Sequence, residues 1–219
     1  QLDLQNLPAL EAGLFARLQQ FQQVAAVQFT SPQGRFRLVD RLPDLYLVAA
    51  EPPHPERLLI YSLNADGSRK ELVSTNEGLD VPRDQHGYRQ AVTTGKPGWS
   101  LMAQYGSLDF LTLDAFHPVY EGNTKNLLGV FAVQMRLDYL SEFLHCLAIS
   151  RSGRVIIMER NGTLIATSTG AQPYQFGAEK GAQRQFEQLN IAESQDDLTR
   201  ALGKYLRDRA DLLQSNTRS

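Results

Sequence analysis

The sequence predicts an α+β protein in which a long N-terminal helix leads into an antiparallel sheet, a connecting helix and a second, smaller or incomplete sheet. Three observations carry this prediction. Apolar residues recur at spacings of three and four near the start; the period then switches to two, with glycine-bearing turns between strands; and a helical stripe returns from Leu137 to Leu147.

Leu7, Leu10, Leu14, Leu18 and Phe21, with Gln, Arg and Glu between them, place an amphipathic helix from Asn6 to about Gln23. Asn6 followed by Pro8 is its start signal. The near-heptad spacing permits packing on its own domain or against a second copy. VAAVQFT, the turn Ser31-Pro32-Gln33-Gly34 and RFRLVDR then form one hairpin, and LLIYSLN, Ala65-Asp66-Gly67-Ser68 and RKELVS a second. The segment VIIMERNGTLIATS, residues 155 to 168, forms a third. There Asn161-Gly162 predicts a two-residue type I′ turn, which accounts for the formal glycosylation sequon at Asn161. Between the first two hairpins, Pro52, Pro53 and Pro55 in LPDLYLVAAEPPHPER predict a surface loop without regular structure.

Pro82 to Thr94 reads as a loop running into a short helix. Gly98 to Tyr105, Phe110 to Tyr120 and Leu127 to Met135 read as strands, the last two joined by a polar turn from Glu121 to Asn126. Arg136 to Ile149 places Leu137, Leu140, Phe143, Leu144 and Leu147 on one helical stripe. After Ser168 the pattern weakens, and Phe186, Leu189, Ile191, Leu198, Leu202 and Leu206 suggest a broken helix from Arg184 to Leu213. Only the third hairpin then supplies the second sheet, and a lone hairpin is marginally stable in water, so the second module is expected to be truncated.

Composition narrows the function classes. With 219 residues, 42% of them hydrophobic, the chain can bury one large core or two modest ones. Its 22 basic and 24 acidic residues, without long single-sign runs, offer no attraction to phosphate backbones or anionic lipid. Cys146 is the single cysteine, which excludes an intramolecular disulfide and a multi-cysteine metal site. His54, His86, His117 and His145 lack metal-ligand spacing, and no nucleotide-binding or nucleophile motif appears, so neither metal nor cofactor is expected. His145 and Cys146, adjacent on a helix, point about a third of a turn apart and do not form a nucleophilic pair. No stretch reaches the ~20 apolar residues of a membrane-spanning helix. The chain opens on Gln1 with neither a basic leader nor an apolar signal core, which suggests a processed chain or a piece of a longer one.

Two polar residues stand in apolar strands. Alternation puts Phe110, Thr112, Asp114 and Phe116 on one face, where a carboxylate needs a partner or a raised pKa. Gln134 interrupts GVFAVQM, and its amide can both donate to and accept from a neutral ligand. Tyr61 and Tyr105 belong to strands of the same region.

The order of elements, with GYRQAVTTGKPGWS at 87 to 100, FHPVYEG, LLGVFAVQMRLDYLSEFL and the phrase LIATS, resembles the double Cache sensor domains of bacterial receptors, two PAS-like modules in tandem behind a long helix. The resemblance implies an N-terminal helix (1 to 23), a membrane-distal PAS-like ligand-binding module (24 to 135), a connecting helix (136 to 150) and a membrane-proximal PAS-like module (151 to 219). It implies a non-enzymatic, periplasmic input domain for a histidine kinase, nucleotide cyclase or chemoreceptor. Such a domain would be attached to the membrane through flanking segments and would dimerise through its N-terminal helix. Tyr88 and Trp99 match pocket-lining positions of the family. Its amino-acid signature pairs an Arg and an aromatic residue before that Tyr with an Asp on the last strand; here those positions hold Gln85, Gly87 and Gln134, so an ordinary α-amino acid is not the expected ligand. The competing readings are a ligand-free dimerisation or interaction module and a small hydrolase built around Asp114.

Overall fold

The leucine-spaced segment forms helix α1 (Leu7–Gln20), with Asn6 as N-cap accepting a hydrogen bond from Ala9 N (3.2 Å). The computed structural model describes residues 6–41, 44–77, 82–103, 111–147, 153–180 and 183–209, so Tyr105 and Phe110 lie outside the described residues. The chain divides into two units, residues 1–102 with 112–136, and residues 103–111 with 137–219.

In the first unit α1 is followed by β1 (Val24–Thr30), β2 (Phe36–Asp40), β3 (Tyr46–Glu51), β4 (His54–Leu63) and β5 (Arg69–Glu77). A 3-10 turn (Pro82–Asp84), α2 (His86–Thr94), β6 (Gly98–Ala103), β7 (Leu111–Tyr120) and β8 (Leu127–Arg136) complete it. The eight strands make one sheet in the order β5-β4-β3-β2-β1-β8-β7-β6. The first and last long strands, β1 and β8, therefore pair antiparallel at its centre, with Ala26 opposite Gln134 and Gln28 opposite Ala132.

The proline-rich segment is not a loop. Residues 46–51 pair along their length with β2, and β4 starts directly after Pro52-Pro53. The prolines cluster at the turn, and Pro55 lies before Arg57, the residue at which pairing of β4 with β5 begins, so the missing N–H groups interrupt no ladder on that side.

Three hairpins share one turn geometry. In each, a residue donates to the carbonyl four positions on, and a glycine closes a tighter turn: Gly34 N to Ser31 O (3.0 Å), Gly67 N to Asn64 O (2.9 Å) and Gly162 N to Glu159 O (2.9 Å). The glycines have φ of 92°, 83° and 87°. These are three-residue loops ending on a left-handed glycine, so the turn at Asn161-Gly162 is not the two-residue type I′ form: Arg160 and Asn161 make the bend and Gly162 takes the left-handed position.

The two faces of the sheet differ. On one, Leu10, Leu14 and Leu18 of α1 pack with Val27, Phe29, Val39 and Leu47, flanked by Tyr61, Leu63 and Phe131. On this face Arg37, 1% exposed, donates from Nε to Glu11 of α1 (2.7 Å) and from its other nitrogens to Glu51, Phe36 O and Ala50 O. On the other face lie Ala26, Phe36, Leu38, Ala50 and Leu58, and beside them Phe116, Val130 and Ala132 under Ala91 and Tyr88 of α2.

In the second unit, helix α3 (Leu137–Cys146) packs on β10 (Leu164–Thr167), whose four residues are all buried and pair with β9 (Ile156–Met158). A further antiparallel pair, β11 (Tyr174–Lys180) and β12 (Gln183–Gln188), follows. The second unit thus has four described strands rather than one hairpin, and Gln183–Gln188 is strand, not helix. With Phe186 as its one large apolar residue, that stretch carries no helical stripe, and pairing with β11 decides its backbone. A 3-10 turn (Ile191–Glu193) with an Asn190/Glu193 capping box leads to α4 (Asp197–Arg207), capped by Asp196. Helix α4 meets that turn through Gly203, where a Cβ would lie 2.4 Å from Ala192 N; Leu198, Leu202 and Tyr205 are exposed.

Candidate ligand cleft

Alternation along three neighbouring strands builds the floor of a cleft. Gln28 and Thr30 of β1, Val130, Ala132 and Gln134 of β8, and Asp114 and Phe116 of β7 point to the α2 side, where Asp114 stands directly opposite Gln134 and Phe116 opposite Ala132. Gln85, Gly87 and Tyr88 form the cover. The space left between floor and cover is small: positions for the centre of a water-sized molecule span ≈ 10 Å³, about the room one water needs.

Asp114 is the chemical centre of this floor. It is 1% exposed, accepts from Thr112 Oγ1 (2.9 Å) and from Gln134 Nε2 (3.1 Å), and has no cationic partner among the described residues. Burial pushes its pKa up to about 7, and the hydrogen bonds from Thr112 and Gln134 pull only partly the other way. Burial also raises the Tyr88 phenol, opposed by the charge of Arg83, so Tyr88 remains a neutral hydroxyl at physiological pH.

A second polar feature lies beside it. Gln28 Nε2 donates to Gln85 Oε1 at 3.5 Å, leaving Gln28 Oε1 and Gln85 Nε2 buried and unpartnered. Turning both amides over restores the same bond with the roles reversed, so in either orientation one donor and one acceptor are left over. Gln28 is 6% exposed, and an unsatisfied buried amide costs about 1–3 kcal/mol, which marks the cleft as a place where stability is given up.

Phe116 fits only because two neighbours lack side chains. A Cβ on Gly98 would lie 2.6 Å from its ring and one on Gly87 3.1 Å, so these glycines make room for the phenylalanine that closes the apolar end of the cleft.

Of the residues singled out from the sequence, Tyr88, Asp114 and Phe116 line the cleft, and Gln134 stands behind it as a hydrogen-bond donor to Asp114. Two others lie elsewhere. Trp99 is 67% exposed, because Gly98 and Ser100 on either side of it face inward and alternation turns the indole out. Tyr61 packs on the α1 side, with the Arg69 guanidinium 4.5 Å above its ring. Sequence reasoning missed Gln28 and Thr30. Their signal was present, since Gln28 interrupts VAAVQFT just as Gln134 interrupts GVFAVQM.

No family model matches the chain, and no curated protein sequence matches it. Among solved structures it is similar to the extracellular domain of the proposed histidine kinase mmHK1S-Z2, with a TM-score of 0.50 and 11% identity, covering 93% of this chain and 68% of that one. The chain shares the fold of that extracellular domain. It is also similar to the sensory domain of the Campylobacter jejuni chemoreceptor Tlp3 (TM-score 0.45, 12% identity, 76% of this chain and 53% of that one). A further similarity is to the ligand-binding domain of the Pseudomonas aeruginosa amino-acid chemoreceptor PctC in complex with GABA (TM-score 0.41, 17% identity, 75% of this chain and 56% of that one). The chain spans about half the length of those two chemoreceptor domains. Among the described residues, no helix is long and apolar enough to cross a membrane, and no cluster of three or more His, Cys, Asp or Glu could hold a metal ion.

Proposed function

We propose that this chain is the small-molecule-sensing input domain of a signal-transduction receptor, on the extracytoplasmic face of a bacterial inner membrane, and that the cleft under α2 is its ligand site. The observation that carries the reading is Asp114, a buried carboxylate without a counter-charge, on the floor of a cleft that also holds the unpartnered amide groups of Gln28 and Gln85. A stable fold gains nothing from that combination, whereas a bound ligand satisfies all three groups. The first unit is then the ligand-binding, membrane-distal module, and the second the membrane-proximal one. Effector and membrane anchors belong to flanking segments, and the domain itself catalyses no reaction. A homodimer through α1 would use the outward face at Ala9, Ala12 and Ala16, since Leu10, Leu14 and Leu18 are covered by the sheet.

Thermal-shift screening against small polar metabolites tests this reading. A ligand present at a hundred times its Kd adds about 2.7 kcal/mol of stability, a readily measured rise in Tm. Compounds that raise Tm in the wild type should lose the effect in Tyr88→Ala. Shifts unchanged in both Tyr88→Ala and Asp114→Asn would place the site elsewhere, and a full-length gene product without a membrane-spanning segment or a signalling domain would overturn the receptor assignment.

A further inference from the structure

A cavity larger than the cleft lies in the second unit. It measures ≈ 250 Å³, against ≈ 10 Å³ under α2, and falls just below the ~300–1,000 Å³ usual for small-molecule pockets. Three segments form its walls: the tip of the third hairpin, the capping turn at Asn190 and Ile191, and the last turns of α4. Glycines hold these segments close. A Cβ on Gly203 would lie 2.4 Å from Ala192 N and 2.6 Å from Ile191 C, so α4 meets the turn backbone to backbone. One on Gly162 would lie 2.9 Å from Asn190 Nδ2, so the hairpin tip rests on that carboxamide. The two asparagine side chains on the wall are committed to holding it. Asn190 Oδ1 accepts from Ala192 N (3.0 Å) while its Nδ2 donates to Asn161 O (3.3 Å), and Asn161 Oδ1 accepts from Thr163 N (2.9 Å). The walls are therefore preformed, as a binding site requires.

The charge along these walls is of one sign. Arg160 on the hairpin and Arg207 at the end of α4 both line the cavity, and among the described residues no carboxylate does. The acidic side chains next to the lining segments are placed elsewhere. Glu159 accepts from Asn161 Nδ2 (3.2 Å), Glu193 accepts from Asn190 N (3.4 Å) as half of the capping box, and Asp208, the C-cap of α4, is exposed. Arg207 forms no ion pair among the described residues. Two guanidiniums beside one space repel each other, and an anion between them makes both interactions favourable. Met158, Ile191 and Leu206 supply the apolar part of the wall, which suits a short hydrocarbon body and not a bare inorganic ion. We infer that this cavity is a second small-molecule site, separate from the cleft under α2, and that it takes an organic carboxylate with a short apolar body. Arg160 and Arg207 receive the carboxylate, whose two oxygens match the guanidinium fork, and the three apolar side chains cover the body. Because both arginines are exposed, the attraction is screened, and affinity falls as salt rises.

Amide NMR titrations of the whole chain with butyrate, n-butylamine, 1-butanol and inorganic phosphate, at equal ionic strength, test the inference. A ligand of butyrate's size reaches a Kd of about 1 mM. The expected result is saturable movement of the Gly162, Ile191 and Gly203 amides with butyrate alone. Its affinity should fall about tenfold in Arg160→Gln and in Arg207→Gln and stay unchanged in Tyr88→Ala. Both arginines are exposed, so the two substitutions leave the fold intact, which an unchanged Tm verifies. Full-strength butyrate binding in either arginine variant, or its loss in Tyr88→Ala, overturns the site. Equal movement with butylamine, butanol or phosphate overturns the organic-carboxylate assignment. No movement with butyrate up to about 20 mM overturns the proposal as a whole. The cleft under α2 is decided separately, by the Tyr88-dependent thermal shifts.

Discussion

The two faces of the eight-stranded sheet are made by the same strands and solve opposite problems. On the α1 face the buried Arg37 is answered by charge: Glu11 and Glu51 both pair with it, Arg69 also holds Glu11, and Arg35 also holds Glu51, while Arg41 at the end of β2 donates to Leu18 O and leaves its Nε without a partner. The α2 face holds a carboxylate, Asp114, with donors and no counter-ion, and an amide pair with groups left over. On the first face the buried carboxylate and guanidinium answer each other, and the lack of such an answer for Asp114 is what supports the proposed ligand site.

Breaking the first face should have the largest effect. Leu14→Ala removes a fully buried side chain from the α1 cluster and should cost about 2–5 kcal/mol in chemical denaturation, with no effect on any ligand response that does not follow from the lost fold.

Next in size, and opposite in sign, is Asp114→Asn. A carboxyl whose folded pKa is raised to about 7 from 3.8 contributes stability that is fully present below about pH 4 and is lost as pH rises through about 7. At about pH 8 the variant should therefore be more stable than the wild type, by up to about 3 kcal/mol. The gain should shrink as pH falls below about 7 and disappear at about pH 4. The Thr112 hydroxyl and the Gln134 amide can each turn to suit the new amide.

Glu11→Gln sharpens the contrast. Burial raises the Glu11 pKa, but the hydrogen bonds and charges of Arg69 and Arg37 outweigh it and hold the carboxyl below its ordinary value; Glu51 is lowered in the same way by Arg37 and Arg35. A lowered folded pKa gives stability that is present above about pH 4.5 and lost as pH falls further, the reverse of Asp114. Glu11→Gln should cost about 2 kcal/mol near neutrality, because Arg37 keeps Glu51 and two carbonyls but loses one ion partner, and it should flatten the acid limb of a Tm-against-pH curve. The two variants should thus change opposite ends of that curve.

Trp99→Ala should do least. The indole is two-thirds exposed and outside the cleft, so stability should change by no more than about 0.5 kcal/mol and ligand shifts should persist.

How far the sequence foretold each face follows from what sets each residue's direction. Helix α1 and the hairpins at 24–40 and 155–168 were legible because leucine spacing and left-handed glycines are local signals. β3 was hidden by Pro52, Pro53 and Pro55, whose harmlessness depends on the ladder of β4 with β5 starting only at Arg57, a fact about pairing and not about composition. Asp114 and Phe116 were legible because a carboxylate in an apolar strand is unusual by itself and alternation puts Phe116 on the same face, whereas Tyr88 came from the family resemblance. Gln28 was legible in principle by the argument that selected Gln134, but its meaning depends on β1 and β8 being neighbours, which a non-local pairing decides. Trp99 shows the limit of resemblance: strand alternation, set by Gly98 and Ser100 facing inward, turns it to solvent.

The most direct measurement is a titration of the Asp114 carboxyl in the free protein by carbon-detected NMR. A buried carboxylate without a counter-charge predicts a midpoint of about 7. A midpoint in the ordinary carboxylate range would contradict it.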